Sequence, residues 1–89
     1  MIQLVDAQQM AKTYPDSFKA PAQEELDSVK VGDCVKICIN NKERLWVEVT
    51  AIGGGQLKGR IDNHPVEIDD VTFGDSILFK KENIYNIFN

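Results

Sequence analysis

Cys34 and Cys38 occur in DCVKIC with Lys36 between them. A neighbouring cation favours the thiolate, the form of cysteine that attacks electrophiles and binds metals. The trio therefore has the composition of a redox centre. The competing use is packing, because free cysteine is among the most buried residue types. In a strand the two thiols share one face about 13 Å apart, beyond disulfide reach, which makes them reduced thiols. His64, the only histidine, follows Asp62 by two in DNHPV. That spacing puts both side chains on one face, where Asp62 could orient His64 as a general base. A turn histidine with no other catalytic group nearby in the sequence is more commonly a polar surface residue. Two cysteines and one histidine fall short of a structural zinc site. Glu67, Asp69 and Asp70 could attract a cation, but a solvated loop is the better account of them. Gly53-Gly54-Gly55 lacks the Lys-Ser/Thr and the following helix of a phosphate loop. No cofactor is implied.

Trp46, the only tryptophan, offers recognition rather than reaction. Period-two alternation puts it on one face of a hairpin with Arg44, Glu48, Thr50, Lys58, Arg60 and Asp62. A tryptophan among arginines has the composition of an interaction hot spot. The other use of the ring is to be a dock for the N-terminal segment, through Met10 and Tyr14. We expect residues 6–14 to cover most of the indole and leave its edge near solvent. If Trp46 is displayed instead, the partner-binding candidates are Arg44, Trp46, Glu48, Arg60, Asp62 and His64.

The elements that must position these residues are short. Residues 6–13 favour a helix capped by Asp6 and ended at Tyr14-Pro15, since a residue before proline avoids helical angles. Residues 21–28 suit one more helical turn, with Pro21 near its start. From Val31 the period changes to two. Val35, Ile37 and Ile39 share a face, a turn follows at 40–43, and residues 45–52 form the next strand. The triglycine then closes a hairpin with Ile52 opposite Gln56, Ala51 opposite Leu57, Val49 opposite Gly59 and Val47 opposite Ile61. On the other face Thr50 meets Lys58, Glu48 meets Arg60 and Trp46 meets Asp62. One face is apolar and the other polar, so a one-residue slip would misplace every side chain. PVEI at 65–68 suits a strand starting at proline. TFGDSILF suits another, and residues 80–88 read as a helical turn or short last strand. VGDCVKI and FGDSILF share a Gly-Asp turn that launches a strand.

Together these elements predict an α+β, mainly β domain. Its body is a small SH3-like antiparallel barrel or strongly bent five-stranded sheet, with a short N-terminal helix. Residues 1–28 are the lead segment and 29–89 the barrel. The predicted core is Val35, Ile37, Ile39, Val47, Val49, Ala51, Leu57, Ile61, Ile77 and Phe79.

At 89 residues the chain has room for one domain and one small core. Its net charge of −4 disfavours nucleic acid as a default partner. The charge is uneven: −2 over residues 1–30, +2 over 31–60 and −4 over 61–89. The N-terminus lacks a basic segment followed by an apolar run, and no stretch approaches a membrane span, so we expect a cytoplasmic protein.

The segments TYPDSFKAPAQEEL, VGDCVKIC, ERLWVEVTAIGGGQLKGRIDN and VTFGDSILFKKENIYNI together resemble a bacterial family of small uncharacterised proteins, a domain of unknown function of the YegJ-like type. The resemblance runs from about Thr13 onward. It rests most on Arg44–Val49 and on Gly74-Asp75 followed by Glu82-Asn83-Ile84. It implies a compact α+β protein with a curved antiparallel sheet, and it implies no activity and no catalytic residues. The functional expectation is a non-enzymatic binding or regulatory module of unknown ligand, with a protein as one candidate partner. The alternatives are a nucleic-acid-binding barrel using the 44–62 hairpin, and a thiol- or histidine-based enzyme or redox sensor.

Overall fold

Asp6 accepts a hydrogen bond from the Gln9 N–H at 2.9 Å and so caps a first helix, α1, Ala7–Thr13. Its last turn closes with the Tyr14 N–H on the Met10 carbonyl, and Pro15 follows. The second helix, α2, is Gln23–Asp27, with Pro21 just before its cap and Leu26 facing inward. Five strands follow: β1 Cys34–Ile39, β2 Glu43–Gly53, β3 Gln56–Ile61, β4 Ser76–Phe79 and β5 Asn86–Ile87. A single 3-10 turn, Lys81–Asn83, lies between the last two. The computed structural model describes residues 2–88.

All strands pair antiparallel, in the order β4-β3-β2-β1-β5. The sheet is open, with β4 and β5 at its two edges, so of the barrel or five-stranded sheet expected from the sequence the five-stranded sheet forms and the barrel does not. The strand expected at 65–68 does not form, whereas residues 80–88, read as a helical turn or short last strand, supply both the 3-10 turn and β5. Residues 65–68 have no strand partner; the backbone N–H groups of Val66 and Glu67 donate to the Glu43 carboxylate at 2.7–3.0 Å. β5 arises instead from the chain end, which crosses back over the sheet and buries Ile84.

The inner face holds Val35, Ile37, Ile39, Leu45, Val47, Val49, Leu57, Ile61, Ile77 and Phe79. Leu26 and Val29 cover it from the α2 side, Ile68 and Val71 from the 62–75 loop, and Ile84 from the crossover. The predicted core is present except for Ala51, which is exposed. The reason is a bulge. Val47 opposite Ile61, Glu48 opposite Arg60 and Val49 opposite Gly59 pair as predicted, but beyond them Ala51 faces Lys58 and Ile52 faces Leu57. Thr50 is the extra residue, and its hydroxyl donates to the Lys58 carbonyl at 3.2 Å. The bulge shortens the hairpin loop to Gly54-Gly55, with φ of 60° and 77°. Two positive φ values in a two-residue loop match the right-handed twist of the strands, a match a three-residue loop does not need.

The repeated Gly-Asp turns take one structure twice. Gly32 and Gly74 have φ of 98° and 90°. Asp33 accepts from the Lys30 N–H at 3.0 Å, and Asp75 from the Thr72 N–H at 2.9 Å. The Gly32 N–H reaches the Val49 carbonyl and the Gly74 N–H the Ile61 carbonyl, both at 2.8 Å. Each turn thus docks its strand on the neighbouring one.

Glu43 holds the 66–68 loop, and through it Ile68 sits over the core. These backbone hydrogen bonds, led by the one from Glu67, hold the Glu43 carboxyl below its ordinary 4.5. A depressed carboxyl stabilises the fold above its unfolded value and stops doing so as pH falls through its folded value. We expect the latch to persist from neutral pH to about pH 4.5 and to open below the folded value. Glu43→Gln should speed amide exchange at Val66 and Glu67 at neutral pH. Equal protection in variant and parent would contradict the latch.

Candidate functional site

The outer face of the sheet carries every second residue of β1, β2 and β3. Cys34, Lys36 and Cys38 lie beside Glu48, Trp46 and Arg44, and Lys58 and Arg60 follow on β3. The face is largely open: Arg44, Lys58, Arg60 and Asp62 are exposed, and Leu78 of β4 is 59% exposed. Trp46 is half-buried. Its backbone is fixed by the continuation of β3, since its N–H donates to the Asn63 side chain and its carbonyl accepts from the Asp62 N–H at 2.9 Å.

The predicted N-terminal cover over Trp46 is not what the ring meets. The Phe88 N–H donates to the Cys34 carbonyl at 2.9 Å, extending β5 alongside β1. That bond sets the Phe88 ring edge-on to the indole, with centroids 5.7 Å apart at 89°. Helix α1 packs on the 3-10 turn, and Tyr14 is 52% exposed. Residues 3–5 instead extend the other half of the β1 edge, with Leu4 bridging Ile39 and the Val5 N–H on the Cys38 carbonyl.

Lys36, directly opposite Trp46, places its ammonium 4.8 Å from the indole centroid. The Arg44 guanidinium stands 4.0 Å from the centre of the Tyr85 ring, which also takes the edge of Phe18 at 4.7 Å. Both are cation–π contacts that fix a long cationic side chain. Arg60 bonds Glu48 at 3.0 Å, and that bond holds the guanidinium pKa above its ordinary value. Cys34, Trp46, Asp62 and Phe88 line a shallow groove of about 280 Å³. Around it the face carries Lys36, Arg44, Lys58 and Arg60 against Glu48 and Asp62, a net +2 on a chain of −4.

Of the six candidates, Arg44, Trp46, Glu48, Arg60 and Asp62 are brought together here. His64 is not. It stacks on Phe73, with ring centroids 4.7 Å apart at 13°, and lines a separate groove with Pro65, Ile68 and Val71. Asp62 and His64 therefore do not form the acid–base pair that their spacing suggested. Three site residues were missed from the sequence: Lys36, Tyr85 and Phe88. The signal for Phe88 was the alternation in NIYNIF, part of a segment read as a helical turn or short last strand and given no partner.

The thiols are placed against reactivity. Burial raises the Cys34 pKa, and the Asp62, Glu48 and Asp33 carboxylates add to it while Arg60 opposes them. Burial also raises Cys38, with Arg44 opposing. Both shifts disfavour the thiolate, and the Lys36 ammonium stands over the Trp46 ring. Asp70 accepts from the Asn40 amide at 3.3 Å and so belongs to the β1–β2 turn. Among the described residues no group of three or more His, Cys, Asp or Glu side chains is arranged to hold a metal ion. Among them, too, no helix is long and apolar enough to cross a membrane.

Comparison with curated proteins and with solved structures gives no match. The family resemblance carried by Arg44–Val49 and Gly74-Asp75 does stand. Residues 5–87 match the family described as an uncharacterised protein conserved in bacteria (DUF2314), and the chain belongs to that family.

Proposed function

We propose that the chain is a non-enzymatic binding module, a small SH3-like β protein of the bacterial cytoplasm whose outer sheet face docks a protein partner. The observation that carries this reading is the groove at Trp46, walled by Phe88, with the Lys36 ammonium over the indole. Tryptophan and arginine are the residues that most often dominate interface energies. Side chains already held by cation–π contacts lose little freedom on binding, which lowers the cost of association. The cytoplasmic assignment rests on the two unpaired thiols. The alternative use of this face, as a platform for nucleic acid, has the +2 charge in its favour. Against it, Lys36 and Arg44 stand over the Trp46 and Tyr85 rings, where bases would stack.

Site-directed photo-crosslinking in a bacterial host tests the proposal. A photoreactive residue at position 58 or 78 should give a discrete protein adduct, and one at position 66 or 72 should not. The adduct should vanish when Trp46→Ala is added. Adducts that form equally from 66 and 72, or that survive Trp46→Ala, would contradict it.

A further inference from the structure

We infer that the occupant of the outer face is an extended acidic segment of a partner protein, anchored by one apolar side chain in the Trp46 groove. The inference deepens the proposed docking function and rests on it. Three observations carry it. The groove between Trp46 and Phe88 is apolar and shallow, with a volume of about 280 Å³, which suits one large side chain and not a globular knob. The sheet face that holds it carries four cations on three adjacent strands: Lys36 on β1, Arg44 on β2, and Lys58 and Arg60 on β3. Two acidic groups, Glu48 and Asp62, leave that face at +2 while the chain as a whole is at −4. A basic face on an acidic protein is a local feature, and complementarity at a face selects partners and sets their approach.

The cations are also placed for carboxylates and not for stacked bases. Lys36 and Arg44 rest on aromatic rings, which fixes their stems and leaves N–H donors available to an acceptor from outside. Arg60 spends one N–H on Glu48 at 3.0 Å, and a guanidinium has five. Spacing favours an extended chain. Neighbouring strands lie about 4.8 Å apart; Lys36 stands opposite Trp46, and Arg60, opposite Glu48, is the diagonal neighbour of Trp46 on β3. An extended segment crossing the strands on that diagonal passes Lys36, Trp46 and Arg60 in turn, with Asp62 to one side of Trp46.

The test titrates the full chain with three probes and follows emission from Trp46, the sole tryptophan. The probes are a synthetic peptide of glutamates around one phenylalanine, the same peptide with lysines for glutamates, and oligo-dT. The glutamate peptide should shift Trp46 emission saturably, with affinity that falls as salt rises. Lys58→Glu with Arg60→Glu should weaken it about tenfold or more, as loss of close charge pairs does. Both positions are exposed, and a thermal melt checks that the double variant stays folded. Phe88→Ala should weaken binding without changing its salt dependence, separating the anchor from the charge. If the lysine peptide binds equally, or charge reversal has no effect, the acidic class is wrong while outer-face docking stands. Tight oligo-dT binding with no peptide binding overturns the inference in favour of nucleic acid. Concentration-dependent self-association abolished by the charge reversal overturns it in favour of a second copy. Emission unmoved by every probe overturns it as well, and the crosslinking result then decides the docking proposal separately.

Discussion

Gly59→Ala should lower the stability of the protein by about 1–3 kcal/mol or more. Gly59 lies on the inner face of β3, opposite Val49, in the notch filled by the Val47 side chain. A Cβ there would overlap the Val47 Cγ1 methyl outright, and would stand 2.9 Å from the Glu48 carbonyl oxygen and 3.2 Å from the Phe79 ring. Two effects compete. Alanine restricts the unfolded chain and stiffens a strand, worth about 0.4–1 kcal/mol in its favour. Overpacking a dense core costs about 1–3 kcal/mol, and more where backbone must move. The Glu48 oxygen belongs to the paired strand and cannot rotate away, so the second effect wins. Denaturant midpoints of the parent and the variant check this. Val47→Ala added to Gly59→Ala should recover part of the loss, because it empties the notch, and strict additivity of the two changes would contradict the steric account.

Val47→Asp should be at least as damaging. Val47 is fully buried between Val35 of β1 and Ile61 of β3. A carboxylate in that place has no partner, and an uncompensated buried charge costs about 3–5 kcal/mol. A domain of this size has only roughly 4–13 kcal/mol to lose. Glu48→Ala, one residue along the same strand, should barely move the midpoint. Its partner Arg60 is on the surface, and exposed pairs contribute little. Similar stability in the Val47 and Glu48 variants would mean that the two faces of β2 have been assigned the wrong way round.

What could be read in the sequence was local and periodic. The alternation in Arg44–Val49 and Leu57–Ile61 gave the correct faces and the correct pairing of Val47, Glu48 and Val49. It failed at Thr50 because a bulge leaves the composition alternating while the register moves by one. The expectation of a strand at 65–68 failed for a different reason. PVEI has strand composition, but its N–H groups are taken by a carboxylate on Glu43, more than twenty positions earlier in the chain. Ile68 still faces inward, so the apolar signal was real and only its hydrogen-bond partner was misjudged. The cover of Trp46 was the hardest to read. Both chain ends carry aromatic residues, and local pattern does not say which end reaches the outer face. The crossover from β4 to the far edge of the sheet decides it, by bringing Phe88 beside Cys34.

That placement of Phe88 turns a lone tryptophan into a groove, and the functional reading depends on it. The most direct measurement is a nuclear Overhauser spectrum of the full chain in solution, read at the Trp46 indole protons. We expect cross-peaks to the Phe88 ring and to the Lys36 methylenes. Cross-peaks to the Tyr14 ring in place of Phe88 would show that the N-terminal segment covers the indole, and the groove would not exist.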